Sequence, residues 1–116
     1  MKGMTTQAAP KGGEWLATLK TNLGVAGAQQ TTATAIPVGQ DLSIFTTGTG
    51  GCILPGLGVT PPEEYIVANH TSSAINVYPP VGGTIGTLAQ NTGYSLAAGS
   101  ALRFLYLGGL AWTQGG

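Results

Sequence analysis

The side chains in this sequence most suited to nucleophilic, metal-binding or carboxylate chemistry are one cysteine, one histidine and four carboxylates. Cys52 sits in the apolar run Cys52-Ile53-Leu54. A catalytic thiolate needs a base or a cation beside it, and no sequence context ties His70 to Cys52. A buried, inert thiol is the reading for Cys52, and a single cysteine forms no internal disulfide. Glu63 and Glu64 are the one adjacent carboxylate pair. Neighbours on a strand point to opposite faces, so the two do not converge on one substrate atom. They follow Pro61-Pro62 and read as a solvated entry to a strand. Metal sites draw on clusters of His, Cys, Asp or Glu, and Glu14 and Asp41 lie far from any partner in sequence. No Gly-Lys-Ser or Gly-Lys-Thr phosphate loop and no Gly-x-Ser-x-Gly elbow is present. The residues therefore predict a protein that is not an enzyme and takes no metal or cofactor.

Three further features invite chemistry and admit plainer readings. Asn69-His70-Thr71 has the form of a glycosylation acceptor, but His70 reads as a turn residue. Arg103 stands alone in an apolar strand, where it either snorkels to solvent or pairs with a carboxylate across a subunit interface. Tyr78, Tyr94, Tyr106 and Trp112 either stack on sugars or fill a core or interface, where aromatic side chains bury large areas.

Charge is scarce. Only 7% of the 116 residues are Asp, Glu, Lys or Arg, and the net charge is zero, against roughly 25% charged residues in ordinary soluble domains. Two explanations fit together: a surface rich in Thr, Ser, Asn, Gln and Gly, and a surface covered by other protein. Lys2, Lys11, Lys20 and Arg103 form no cluster, which argues against nucleic acid as a partner. No apolar run suggests a membrane span, and Met1 to Pro10 lacks the apolar core of a secretory signal. Synthesis in a cytosol followed by assembly is expected.

The elements that must position these residues are short. Twenty glycines and seven prolines punctuate the chain, and both disfavour helix interiors. The sequence divides near residue 40. Residues 1–40 read as an N-terminal arm with one short helix over Glu14–Lys20, in which Trp15 and Leu19 share a face. The Gly-, Ala-, Gln- and Thr-rich run from Gly24 to Thr34 is either a disordered terminus or an arm that orders on a neighbouring subunit. Residues 41–116 read as a β-domain. Strands are expected near Asp41–Thr47, Cys52–Leu54, Tyr65–Asn69, Ala74–Tyr78, Tyr94–Leu96, Ala101–Leu107 and Leu110–Thr113, and Thr84–Leu88 is a short apolar run. The third and fourth are read as a hairpin through His70–Ser73. In Ala101–Leu107 both faces are largely apolar, so that strand is buried on both sides or lies against a partner. The fold class expected is all-β, a small sandwich or barrel of about seven short antiparallel strands with an extended N-terminal arm.

From Cys52 onward the sequence resembles small structural modules of tailed-phage virions. The marks are Ile53-Leu54-Pro55, Tyr65-Ile66-Val67-Ala68-Asn69, Ile75-Asn76-Val77-Tyr78-Pro79-Pro80-Val81-Gly82-Gly83, Leu96-Ala97-Ala98-Gly99-Ser100 and the closing Trp112. Capsid decoration (cement) proteins and domains of tail or head fibres share such a pattern. The resemblance implies a homotrimer on the virion surface, made in the host cytoplasm, that binds the major capsid protein and joins neighbouring coat subunits. A glycan-binding fibre module is the alternative. In the first case Trp15 and Leu19 would anchor the arm, and Arg103, Phe104, Tyr106 and Trp112 would serve the body or its subunit interface.

Overall fold

The computed structural model describes residues 19–25, 27 and 29–115. Among the described residues ten strands occur in this order: β1 (Leu19–Val25), β2 (Thr34–Ala35), β3 (Leu42–Gly48), β4 (Gly51–Ile53), β5 (Glu64–Asn69), β6 (Ile75–Tyr78), β7 (Thr84–Ile85), β8 (Tyr94–Leu96), β9 (Ala101–Gly108) and β10 (Ala111–Gly115). One turn of 3-10 helix, Gln30–Thr32, separates β1 from β2. Among the described residues there is no α-helix. The frequent Gly and Pro explain both the absence of helix and the brevity of the strands.

The strands form a six-stranded sheet, β1-β3-β5-β9-β10-β7, and a four-stranded sheet, β2-β4-β6-β8. From β1 to β6 the chain alternates between the two sheets, and each strand lies parallel to the one two positions earlier. The path is a β-solenoid of about four turns. The last turn reverses: β8 runs antiparallel to β6, and β9 antiparallel to β5. A tight turn over Gly108, Gly109 and Leu110, all with positive φ, then folds β10 back on β9. Gly83 lies under this turn. A Cβ there would collide with the Leu110 carbonyl oxygen, so only glycine admits the approach that lets β7 join the edge of β10.

The all-β expectation holds, but the sheets form a β-solenoid of about four turns where a small sandwich or barrel of about seven short antiparallel strands is expected from the sequence. Five of the eight strand pairings are parallel. The expected hairpin of β5 with β6 is absent, since the two strands lie in different sheets. Both edges of β5 are already taken, by β3 and β9, so the chain leaving it must cross to the other sheet. Leu19 and Lys20, expected at the end of a short helix, begin β1 instead; Glu14–Thr18 lie outside the described residues. Pairing with residues 19–25 satisfies backbone groups on the outer edge of β3 that would otherwise be left open. The ladder thus runs across the division at residue 40: β1 and β2 supply the first turn of the coil.

The corner after β5 is held by one side chain. Asn69 is fully buried, and its amide is saturated. Nδ2 donates to the Ser73 carbonyl at 2.8 Å and to the Leu96 carbonyl at 2.9 Å. Oδ1 accepts from the Thr71 backbone N–H at 2.9 Å and from the Thr71 hydroxyl at 2.6 Å. The backbone of Asn69 is bound as well: its N–H donates to Ser100 O, and its carbonyl accepts from Gly99 N. An amide can be buried at little net cost only when it is satisfied in this way.

Alternate residues of both sheets fill one core. Phe45, Tyr65, Val67, Phe104, Tyr106, Trp112 and Ile85 meet Cys52, Ile75, Val77 and Leu96. Trp112 packs edge-on to Tyr65, with centroids 5.3 Å apart, and tilted against Tyr106 at 5.1 Å. Burying each such large side chain contributes about 1.5–3 kcal/mol. Replacing Asn69 by Ala should remove one donor from each of the Ser73 and Leu96 carbonyls and the acceptor of the Thr71 N–H. A loss of about 2–4 kcal/mol is expected, read as a lower urea midpoint at unchanged denaturant slope. An unchanged midpoint would show that the corner does not depend on the amide.

Candidate binding surface

The outward face of the six-stranded sheet is unusually apolar, and simple alternation makes it so. In β3, Ser43 and Phe45 point into the core, which turns Leu42 and Ile44 outward. The inward Ser43 is satisfied by Gln40, whose Nε2 lies 2.7 Å from its Oγ. In β5, Tyr65 and Val67 point in while Glu64 and Ile66 point out. In β9, Phe104 and Tyr106 point in while Arg103, Leu105 and Leu107 point out. Register then builds rows. Leu42 stands opposite Ile66, and Ile66 opposite Arg103. Glu64 stands opposite Leu105. The result is a shallow depression of about 600 Å³ lined by Asp41, Leu42, Pro62, Glu64, Ile66 and Leu105. The Arg103 guanidinium lies 3.5 Å from the Glu64 carboxylate, with both side chains about half exposed. Such a pair adds little stability, but it sets a polar edge beside an apolar floor.

A second apolar feature runs along one edge of the coil. The connections β2–β3, β4–β5 and β6–β7 carry Val38, Leu57 and Val81, exposed by 47%, 89% and 61%. Polar tips of the core aromatics hold the first two of these connections, and Asn91 Oδ1 accepts from Gly82 N in the third. Tyr65 Oη accepts from Gly39 N and donates to Glu63 Oε1, and Trp112 Nε1 donates to the Pro55 carbonyl at 3.2 Å. The nearby turn after β9 is held by Tyr106 Oη, which accepts from Leu110 N. The exposed apolar side chains are therefore mounted on anchored loops.

The structure separates the residues singled out from sequence. Trp15 lies outside the described residues. Leu19 opens β1, in register with Leu42. Arg103 has a carboxylate partner within the chain, at Glu64. Phe104, Tyr106 and Trp112 are buried in the core, with Phe104 edge-on to Tyr94 at 6.0 Å. Tyr78 is buried too, so Tyr78, Tyr106 and Trp112 offer no platform for a sugar ring. Leu42, Ile66 and Leu105, which floor the depression, were not singled out. The available sign was a strand with two apolar faces, of which the core could take only one.

Little on this surface can do chemistry. Among the described residues no three His, Cys, Asp or Glu side chains group closely enough to hold a metal ion. His70 is exposed, and its backbone N–H donates to the Phe45 carbonyl. Burial pushes the Cys52 thiol up to about 12 from 9.0. It also raises the Tyr65 phenol, offset in part by the Gly39 hydrogen bond and reinforced by the Glu63 and Asp41 charges. A thiol protonated to such high pH is a poor nucleophile.

The chain matches no protein-family model, no curated protein and no solved structure. No helix among the described residues is long and apolar enough to cross a membrane. The fold and surface define an all-β coil that presents apolar area.

Cys52 ionises more readily unfolded than folded, so its contribution to stability is complete below pH 9 and is lost as pH rises toward 12. Alkaline melts should therefore show a fall in stability that Cys52→Ala lessens. Below pH 9 the native thiol should resist a disulfide reagent and react only after denaturant is added. Rapid labelling of the native protein would contradict the burial of Cys52.

Proposed function

We propose that this protein is a phage capsid decoration (cement) protein. It binds the assembled shell and bridges neighbouring subunits of the major capsid protein. The observation that carries the reading is the outward sheet face: Leu42, Ile44, Ile66, Leu105 and Leu107 on a rigid platform, in a chain with almost no charge. A contiguous apolar surface of this kind marks a site of protein contact, and one with so little charge in the chain suits a partner that is already assembled and need not be steered from afar. Two sheets around one core give a rigid all-β body. In this reading the protein acts as a homotrimer, performs no catalysis, and reaches the virion surface from the host cytoplasm.

The fibre reading is kept for one reason. Parallel coils stack turn upon turn, and β1 is the outermost strand described at its end of the larger sheet, a geometry that suits an extended virion part. The buried state of Tyr78, Tyr106 and Trp112 argues against a glycan-binding tip built on those aromatics.

The test is to mix purified protein with undecorated shells of its phage and image them by cryo-electron microscopy. Density at symmetry-related positions on the outer shell is expected, and Ile66→Glu should reduce its occupancy by tenfold or more at fixed protein concentration. Density confined to the tail would overturn the cement reading in favour of the fibre. Full occupancy by the Ile66→Glu protein would remove the sheet face from the interface.

A further inference from the structure

We infer that copies of this chain associate through the edge of the coil that carries Val38, Leu57 and Val81, with Leu57 of one copy against Leu57 of the next. The sheet face assigned above to the shell is a different surface, so the inference does not rest on the capsid reading.

The edge is built by repetition. Ala35 stands opposite Ile53, and Ile53 opposite Tyr78. Two residues beyond each lies a proline: Pro37, Pro55 and Pro80. Val38, Leu57 and Val81 follow, Leu57 after one extra glycine. Each is succeeded at once by a glycine of positive φ: Gly39 at 90°, Gly58 at 86° and Gly82 at 87°. A type II turn reserves that conformation for glycine at its third position, which puts the residue before it at the corner of the turn. The Gln40 and Gly83 N–H groups close the first and third turns on the Pro37 and Pro80 carbonyls. Successive turns touch. The Val38 methyls lie beside Gly58, and the Pro80 ring lies beside Gly56. Adjacent strands are about 4.8 Å apart, so the three side chains make one row roughly 10 Å long.

Turn corners usually carry Gly, Pro, Asn, Asp or Ser. Here three successive coil turns present a branched aliphatic side chain instead, exposed by 47%, 89% and 61%. In repeating folds the side chains that each repeat sets on one edge commonly form the binding surface. The row itself points to the occupant. It reads Val, Leu, Val, the same in both directions. A parallel neighbour sets Val38 on Val38, and an antiparallel one sets Val38 on Val81; either brings Leu57 to Leu57. Symmetric association places identical groups together at the axis, which charged side chains would oppose. The charged residues of these three connections, Asp41 and Glu63, stand at their far ends, next to β3 and β5. Glu63 is moreover taken up by Thr60 N and Tyr65 Oη. Gly56 and Gly58, on either side of Leu57, leave room for the facing leucine. Contacts that bury less than roughly 1,200 Å² are weak or transient. A row of three side chains is of that kind, so the association should depend on concentration.

The test is sedimentation equilibrium of the full chain from micromolar to near-millimolar concentration. The average mass should climb above that of one chain as concentration rises. Leu57→Glu should move that rise to roughly tenfold higher concentration or beyond, and Val81→Ser should move it severalfold. Both side chains are largely exposed, so circular dichroism and melting temperature should stay as in wild type. Ile66→Glu, on the sheet face, should leave the rise where it is. Mild oxidation of Leu57→Cys should give disulfide-linked pairs severalfold faster than that of Leu107→Cys, since Cys52 is buried and takes no part. A mass of one chain throughout, or a rise indifferent to both edge substitutions, would overturn the inference. A rise abolished by Ile66→Glu alone would overturn it too, because the sheet face would then be the contact between copies.

Discussion

Asn69 stands where four pieces of chain meet: the end of β5, the crossing to the second sheet, the end of β8 and the turn into β9. Its amide bonds Ser73, Leu96 and Thr71, and its backbone bonds Gly99 and Ser100. The rest of the coil depends on this junction. A crossing between sheets exposes backbone groups that neither ladder can satisfy. Here one buried side chain satisfies them while fixing both the parallel turns before it and the reversed turn after it. The aromatic cluster does similar work at the opposite edge, where Tyr65 and Trp112 bond the loops with their polar tips.

Much of the β part was legible in the sequence. Alternation and turn residues located β3, β5, β6, β8 and β9 to within a residue or so, because each is a short apolar run closed by Gly, Pro or Asn. The alternation in β3 was also readable, with Leu42 and Ile44 opposed to Ser43 and Phe45. Which face turned inward was not. A rule that buries the more apolar face would put Leu42 and Ile44 inside; Phe45 needed the core more, and Gln40 made Ser43 tolerable there. Pairing was the least legible property. Asn69-His70-Thr71-Ser72-Ser73 has the composition of a hairpin turn, and nothing local says that both edges of β5 are occupied from elsewhere. β1 escaped for the same reason. Its residues have weak strand preference, and they pair because the edge of β3 is open to them.

The binding surface was legible only in outline. A strand such as β9, apolar on both faces, announces more apolar area than one core can take. That the surplus gathers with Leu42 and Ile66 into one depression follows from register across β3, β5 and β9, which no local pattern encodes. The aromatics that drew attention in the sequence went to the core instead, where their area is used in full.

The reversal at β9 also bears on how the chain is made. β5 pairs on one side with β3, already synthesised, and on the other with β9, whose residues Ala101–Leu105 come some forty positions later. Ribosomes add roughly 5–20 residues per second, so for several seconds a nascent chain holds its first turns with one side of β5 bare. The solenoid is thus closed by its last strands, and a chain truncated before β9 would leave the ribosome with a sticky flank.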